Sequence, residues 1–178
     1  MKKNSQLISS KQIFSCPWFS ISYDILIYPN GTQGDYYIFK REYPFVAVLA
    51  IENKQILVLR QWRATIRDWV WEIPMGAVNR HETPLQAAKR ELLEETGYKA
   101  KKWQKLGENY VGPGHTDTKG FVFLATDLQK ITGKAEKNPK EIIEVYQISC
   151  EKFEKMIQNN QLKDGPSMSS YLLYKLKK

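Results

Sequence analysis

The apolar residues of this chain form short runs in its middle and recur at helical spacing near its end. Residues 45–51 and 55–62 are two β-branched runs joined by Glu52-Asn53-Lys54, which predicts a buried hairpin. In residues 150–159 the apolar side chains lie three or four positions apart, which predicts a helix, and Gly165-Pro166-Ser167 opens another. Strands interleaved with a few helices indicate an α/β fold around a mixed sheet.

The first 43 residues have a different pattern. Residues 19–28 alternate between apolar and polar side chains, and a Pro29-Asn30-Gly31 turn leads to a partner strand at residues 35–41. This arrangement predicts an N-terminal antiparallel hairpin. Residues 1–15 are predicted to form an irregular or short extended arm. The remaining strands are expected at residues 69–73, 102–110, 121–126 and 141–148.

Length and charge set the domain organisation and the class of partner. The chain has 178 residues, 42% of them hydrophobic, and we expect one domain over residues 1–178, with the arm and hairpin in 1–43 and the core in 44–178. The net charge of +8 suits partners that carry phosphate. The lysines are spread along the chain without an arginine-rich block or an aromatic RNA-binding motif, which indicates a lysine-rich surface and disfavours nucleic acid as a partner.

Cysteine content and hydropathy bear on the compartment. Cys16 and Cys150 are too few and too isolated for a disulfide framework, and no Cys/His spacing typical of a metal site occurs. No segment has about 18 consecutive apolar residues, and the basic N-terminus lacks an apolar stretch of the kind that signal peptides contain. The expectation is a cytoplasmic protein with no membrane partner.

The segment 76–98, GAVNRHETPLQAAKRELLEETGY, concentrates acidic residues in one loop and one helix. Thr83 is a suitable N-cap, Gln86 completes a capping box and Gly97 is a natural stop, so a helix is predicted over residues 83–96. Carboxylates at three- and four-residue spacing share one face of this helix. Their crowding fits either a solvated acidic face or a bound divalent cation, and oxygen ligands of this kind suit Mg²⁺ or Mn²⁺. The residues of this face are Glu91, Glu94 and Glu95.

The spacing of the same segment resembles a known family signature. Gly76, five residues, Glu82, seven residues and then residues 90–98 resemble GX5EX7REUXEEXGU of the Nudix hydrolases, with an aromatic Tyr98 where the family prefers an aliphatic residue. The resemblance implies a Nudix-type α/β/α sandwich around a mixed β-sheet. It also implies metal-dependent hydrolysis of a diphosphate linked to another moiety. The implied metal ligands are Glu91, Glu94, Glu95 and the carbonyl of Gly76 or Met75.

Catalytic roles follow partly from chemistry and partly from the resemblance. Glu94 is a catalytic residue as a metal ligand, and Arg90, four positions earlier, is expected to orient the glutamates rather than to contact substrate. Glu82 reaches the site only if its loop folds back onto the helix; otherwise it is a secondary ligand or an Arg90 partner. The general base is either replaced by ionisation of a metal-bound water or, as the family resemblance implies, supplied by an acidic loop. Of Glu136, Glu141 and Glu144 in that loop, we favour Glu141.

Segments outside the signature resemble the ADP-ribose pyrophosphatase subfamily. They are Gln61-Trp62-Arg63, the run WEIPMG at residues 71–76, and Pro113, 16 residues after Gly97. The resemblance implies hydrolysis of ADP-ribose to AMP and ribose 5-phosphate by a homodimer. Arg63, Glu72 and Pro113 are the substrate-binding candidates, although Arg63 suits a phosphate contact and an ion pair with Glu72 equally well.

Two other functions compete with this interpretation. One is a Nudix hydrolase that acts on nucleoside triphosphates, dinucleoside polyphosphates or capped RNA. The other is a ligand-sensing Nudix module without turnover. The complete set of glutamates in residues 82–95 disfavours the second alternative, because a module that only binds has no need of them. Pro113 and the run at residues 71–76 favour ADP-ribose over the first alternative.

Overall fold

The computed structural model describes residues 4–131 and 142–177 and contains two compact units. The hairpin unit comprises Met1–Pro44 and Tyr110–Lys119, and the core unit comprises Phe45–Asn109 and Gly120–Lys178. The prediction of one domain over the whole chain stays a prediction. In chain order the elements are β1 (Gln6–Ser15), β2 (Ser20–Ile27), β3 (Gln33–Lys40), β4 (Phe45–Glu52), β5 (Gln55–Arg63), β6 (Asp68–Glu72), β7 (Met75–Ala77), α1 (Pro84–Thr96), β8 (Tyr98–Tyr110), β9 (Lys119–Lys130), β10 (Ile143–Ser149), α2 (Cys150–Gln158) and α3 (Gly165–Leu176).

The hairpin unit is built on a three-stranded antiparallel sheet in the order β1-β2-β3. The predicted hairpin is present as β2 and β3, with Gly31 at a φ of 85° in the turn between them, a value that glycine adopts without steric cost. The prediction for residues 1–15 was wrong in length, because β1 is a ten-residue strand. All ten of its residues are exposed, so pairing with β2 holds the strand and no alternation of apolar residues marks it in the sequence.

The core unit contains a mixed sheet in the order β10-β5-β4-β9-β8, with β6 paired to β5 and β7 paired to β4. Strand β4 runs antiparallel to β5 and parallel to β9. The predicted turn between β4 and β5 is present, and its two central residues, Asn53 and Lys54, have φ of 48° and 61°. Positive φ at both central residues is the mark of the two-residue type I′ hairpin turn, whose twist matches that of the strands.

Helices cover both faces of this sheet. Every residue of β4 from Phe45 to Ile51 is buried, and successive residues of a strand point to opposite faces. Leu49 and its alternate neighbours share a core cluster with Phe153 of α2 and Tyr171 of α3. The other buried face of β4 packs against α1, whose Leu92 is fully buried outside that cluster. The arrangement is the α/β/α sandwich that the resemblance implied, and we call its two sides the α1 face and the α2 face.

The bounds of several strands differ from the predicted ones. Strand β8 begins at Tyr98, directly after α1, and β9 extends to Lys130. Strand β10 is described from Ile143, whereas Glu141 lies outside the described residues. Within the described ranges, none of the three helices has the length and apolar content that crossing a lipid bilayer requires.

Candidate active site

Helix α1 forms where the sequence predicts it because its ends are satisfied locally. Thr83 accepts a hydrogen bond from the Gln86 backbone N–H, and the Gln86 side chain accepts from the Thr83 backbone N–H, which completes the capping box. Gly97 adopts a left-handed conformation at φ 74° and donates its N–H to the Leu93 carbonyl over 2.8 Å. These caps set the register of the helix, and therefore the direction in which its glutamates point.

Arg90 lies at the centre of the carboxylate cluster. Its Nε donates to Glu82 Oε1 over 3.0 Å, and its Nη2 donates to Glu82 Oε2 over 3.0 Å and to the Ala77 carbonyl over 2.8 Å. Its Nη1 donates to Glu91 Oε1 over 2.7 Å and to Glu94 Oε2 over 3.1 Å. A guanidinium has five N–H donors, so all of them are engaged within the protein. Arg90 can therefore position the glutamates but has no donor left for a substrate.

The same contacts fix the charge state of Arg90 and Glu82. The hydrogen bonds that Arg90 donates to Glu82 raise the pKa of the Arg90 guanidinium above its usual value, and its bonds to Glu91 and Glu94 add to this effect. Conversely, the bond from Arg90 lowers the pKa of Glu82, assisted by the Asn79 backbone N–H, which donates to Glu82 Oε2 over 3.0 Å. The loop thus folds back onto the helix and brings Glu82 to Arg90. The pair is ionised throughout the neutral pH range.

Strand β7 brings backbone groups against the same helical face. The Met75 N–H donates to Glu95 Oε2 over 3.0 Å. A Cβ atom added to Gly76 would lie 2.0 Å from Glu91 Oε1, so only glycine allows this carboxylate to approach the strand so closely. The three glutamates differ in solvent exposure. Glu95 is buried, and the side chains of Glu91 and Glu94 are 12% and 45% exposed.

The donor chemistry of this cluster fits a hard divalent cation. Three carboxylates share one helical face next to Gly76 of β7, and carboxylate oxygens are the ligands that Mg²⁺ or Mn²⁺ prefers. As they stand, however, no three acidic, histidine or cysteine side chains in residues 4–131 and 142–177 are close enough to form a ligand set. In this arrangement Arg90 Nη1 bonds to oxygens of both Glu91 and Glu94. Cation binding therefore requires these side chains to shift around Arg90.

Arg63 and Glu72 form a two-bond ion pair next to the cluster. Arg63 Nε donates to Glu72 Oε1 over 2.8 Å, and Arg63 Nη2 bonds to Glu72 Oε2. Glu72 is buried, and its hydrogen bonds raise the pKa of Arg63, with Glu95 contributing at longer range. Of the two roles expected for Arg63, the ion pair is the one present in the structure. Within the described part of the chain its Nη1 forms no hydrogen bond, and the side chain is 39% exposed, so donors remain for a phosphate.

The remaining predicted site residues are Pro113, Glu141 and the alternatives Glu136 and Glu144. Pro113 is exposed in the loop of the hairpin unit, where the His115 and Thr116 N–H groups both donate to the Gly112 carbonyl over 3.0 Å. Glu141 and Glu136 lie outside the described residues. Glu144 pairs in register with Arg60, so its side chain lies on the α2 face, opposite Arg63 and Glu72.

Several groups that build the site were missed from the sequence. The Ala77 carbonyl and the Met75 N–H are backbone groups, for which no side chain gives a signal. Ser167 is fully buried and accepts the Ile73 N–H over 2.9 Å, which ties the residue after Glu72 to the start of α3. Asp164 bonds to Ser167 as the N-cap of α3, and this Asp-x-x-Ser spacing was a usable signal for the helix start although not for the contact with Ile73.

One arginine binds a cluster of carboxylates on α1, next to Gly76 of β7, and this cluster lies on one face of an α/β/α sandwich. The combination defines a Nudix type of fold and site. Comparison with known proteins agrees. The NUDIX domain profile matches residues 42–168. An ADP-ribose pyrophosphatase of Bacillus subtilis (strain 168) is 33% identical over 171 residues, covering 96% of this chain and 92% of that protein. A methanol dehydrogenase activator of Bacillus methanolicus is 28% identical and covers 90% and 87%.

A solved structure supports the fold independently of sequence similarity. The crystal structure of an ADP compounds hydrolase superposes with a TM-score of 0.86 at 16% identity, covering 97% of this chain and 93% of that one. This chain belongs to the Nudix family. The predicted family, fold and class of enzyme, a pyrophosphohydrolase, are confirmed. Nudix hydrolases generally use divalent metal ions such as Mg²⁺.

Proposed function

We propose that this chain hydrolyses the pyrophosphate bond of ADP-ribose to give AMP and ribose 5-phosphate. The observation that carries the proposal is the arginine-centred cluster of Glu82, Glu91 and Glu94, which places carboxylates beside Gly76. The name and extent of the Bacillus subtilis relative support the choice of substrate.

The proposed cation is Mg²⁺ or Mn²⁺, held by Glu91, Glu94 and Glu95 with the Gly76 carbonyl as a further ligand. When bound, such a cation neutralises phosphoryl charge and activates water for attack on phosphorus. Arg90 keeps Glu91 and Glu94 within reach of one nitrogen, so it limits the rearrangement that binding requires. Glu95 is held in place by the Met75 N–H.

Arg63 is the proposed phosphate-binding residue on the same face of the sheet. The ion pair with Glu72 uses only the Nε and Nη2 of Arg63. It fixes the plane of the guanidinium and leaves the N–H groups of Nη1 for a ligand. A guanidinium already held by a buried carboxylate loses little conformational freedom when it binds a phosphate. Glu72 therefore contributes to substrate binding by orienting Arg63. Pro113 is retained as a substrate-binding residue on the resemblance alone.

Glu141 remains the proposed general base. Its position in the sequence, in an acidic segment just before β10, motivates the choice, and the alternative Glu144 is disfavoured by its pairing with Arg60 on the α2 face. If the base is dispensable because the metal ionises the water, Glu141→Gln will retain most of the turnover. A large loss of kcat in that variant, with no change in thermal stability, supports the base role.

We also propose a cytoplasmic homodimer that associates through the hairpin unit. Strand β1 exposes Leu7, Ile8, Ile13 and Phe14, each by 48–58%, and Trp18 is 81% exposed. Exposed apolar side chains in this number favour an association surface on the hairpin unit. Cys16 and Cys150 are free thiols, as is usual in a reducing compartment. Light scattering at micromolar concentration tests the dimer, and a mass near the 20.8 kDa of one chain would contradict it.

Steady-state kinetics with a substrate panel test the function. With Mg²⁺ present we expect kcat/KM for ADP-ribose at least about tenfold above that for dGTP or 8-oxo-dGTP, a difference of roughly 1.4 kcal/mol in transition-state stabilisation. Excess EDTA should abolish turnover. Faster hydrolysis of the triphosphates would overturn the assigned substrate while leaving the Nudix family intact. Undiminished activity in EDTA would overturn the metal dependence.

A further inference from the structure

A second groove lies in the core unit, away from the carboxylate cluster. It has a volume of about 450 Å³, which is within the range of small-ligand sites, and it opens between β5, β6 and the region around α2. Its principal lining residues are Arg60, Trp69, Trp71, Lys152, Met156 and Lys163. None of these residues has a role in the proposed hydrolysis.

Strand register places this groove on the α2 face. Arg60 pairs with Trp71, and the neighbouring Trp62 pairs with Trp69, so these side chains share one face of the sheet. Arg63 and Glu72 occupy alternate positions on the same strands and point to the other face, where Arg63 is affected by Glu95. The groove and the glutamates of α1 are therefore separated by the sheet itself.

Aromatic rings form one wall of the groove. Trp69 packs edge-on against Trp62 at 6.2 Å between ring centroids, and Trp71 packs against Tyr146 at 5.1 Å. Trp69 and Trp71 are only half-buried, so part of each indole remains accessible. The Arg60 guanidinium lies 4.9 Å from the Trp69 centroid, a distance at which cation–π attraction holds a charge over the ring.

Unpaired positive charge forms the rim. Within the described part of the chain neither Lys152 nor Lys163 forms an ion pair. Lys152 is in the first turn of α2, where the helix dipole disfavours a cation, so its position is not explained by the stability of the helix. Among the described residues that line the groove, Asp68 is the only carboxylate, and its Oδ1 accepts the Trp69 N–H over 2.7 Å. This described lining thus carries a surplus of positive charge and no set of carboxylates for metal binding.

We propose that this groove is a second site, for a nucleoside phosphate, that binds without catalysing a reaction. The indoles of Trp69 and Trp71 provide the apolar planar surface that a purine base requires. Lys152 and Lys163 provide cations for the phosphate, whereas Arg60 is paired with Glu144 over 3.4 Å and adds only to the wall over Trp69. A ligand with only a base or only a phosphate contacts half of the lining, so a ligand that carries both groups should bind more tightly. Such a site would allow a nucleotide to bind the enzyme while the catalytic face is occupied by substrate.

Binding of AMP in excess EDTA tests the proposal without turnover, because AMP contains no pyrophosphate bond and the metal is removed. Titration calorimetry should detect AMP binding, with adenosine and ribose 5-phosphate each binding at least about tenfold more weakly. In NMR spectra of the ¹⁵N-labelled protein, the indole signals of Trp69 and Trp71 should shift, assigned with Trp→Phe variants. Trp103 is an internal reference, since its indole N–H is bonded to the Ala100 carbonyl on β8, at the far edge of the sheet.

Paired lysine variants give the decisive comparison. Lys152→Ala/Lys163→Ala should weaken AMP binding by about tenfold. Lys99→Ala/Lys101→Ala removes the same charge from exposed positions of β8 and should change it less than about twofold. Equal losses in both variants, no loss in either, or indole shifts confined to other tryptophans would overturn the proposal. So would an oligonucleotide that binds through the same lysines more tightly than AMP. None of these outcomes depends on whether ADP-ribose is the substrate.

Discussion

Strand β5 carries two arginines whose carboxylate partners lie on opposite faces of the sheet. On the α1 face, Arg63 binds the buried Glu72 through two nitrogens. On the α2 face, Arg60 binds Glu144 through one contact of 3.4 Å, with both side chains about 40% exposed. The side-chain types are the same, but only the first pair has a fixed plane and a buried partner. Burial and geometry, rather than the residue types, therefore make one face suitable for precise chemistry.

A third arginine extends this comparison. Arg90 uses all five donors on the protein, whereas Arg63 uses two on the residues that the structure describes, so the first is saturated and the second has donors for a ligand. An arginine that only orients other side chains can thus be distinguished from one that can also bind substrate by counting its engaged donors. The residues on the two faces provide matched substitutions that test this distinction.

The largest expected effect is the loss of turnover on neutralising Glu94. Glu94→Gln keeps the shape of a half-exposed side chain and removes a proposed metal ligand, so kcat for ADP-ribose should fall by roughly 10²-fold or more with little change in thermal stability. Glu144→Gln makes the same change on the α2 face and should retain activity. Near wild-type turnover in Glu94→Gln, or an equal loss in Glu144→Gln, would contradict a functional difference between the two faces.

A difference in stability is expected between the two arginine pairs. Arg63→Met leaves the buried Glu72 without a partner, and we expect a loss of about 2–3 kcal/mol in the free energy of unfolding, somewhat less than for a fully buried pair because Arg63 is partly exposed. Arg60→Met breaks an exposed pair and should cost at most about 1 kcal/mol. Urea denaturation of both variants measures the difference. Equal losses would show that burial of Glu72 does not decide the strength of its pair.

The close approach of Gly76 to Glu91 predicts a smaller loss of activity. In Gly76→Ala the new methyl group would occupy the position of the Glu91 carboxylate, so that side chain must turn away and kcat/KM should fall by about tenfold. Gly165→Ala is the control, because a Cβ at that position meets no atom within 4 Å. A Gly76→Ala enzyme with normal kcat/KM would show that the Glu91 position is not needed for activity.

The smallest effect concerns pH. The pKa of Glu82 is lowered in the folded protein by Arg90, so its contribution to stability is present above its unfolded pKa of about 4.3 and is lost as the pH falls through the folded pKa. Glu82→Gln should therefore reduce the free energy of unfolding by about 1 kcal/mol at pH 7, and the difference from wild type should vanish in acid. Denaturation curves from pH 7 to pH 2.5 test this. A difference independent of pH would contradict the ionic origin.

Local relations along the chain determined much of the catalytic helix. The capping box at Thr83, the stop at Gly97 and the shared face of Glu91, Glu94 and Glu95 follow from residues within a few positions of one another. Such relations depend on helical geometry alone, which is why the sequence predicted them. The turn at Asn53 and Lys54 is also a relation between neighbouring residues, so the sequence predicted it as well.

Tertiary structure alone decided the partners of those residues. The pairing of Arg63 with Glu72 depends on the register of β5 against β6, and the contact of Glu95 with the Met75 N–H depends on β7 lying beside α1. Whether Glu144 faces the glutamates or Arg60 is likewise a matter of strand register, since a shift of one residue exchanges the faces. Strand β1 is exposed along its whole length and gains its structure from β2. Contacts between residues distant in the chain are selected by the packing of the whole fold, so no local pattern encodes them.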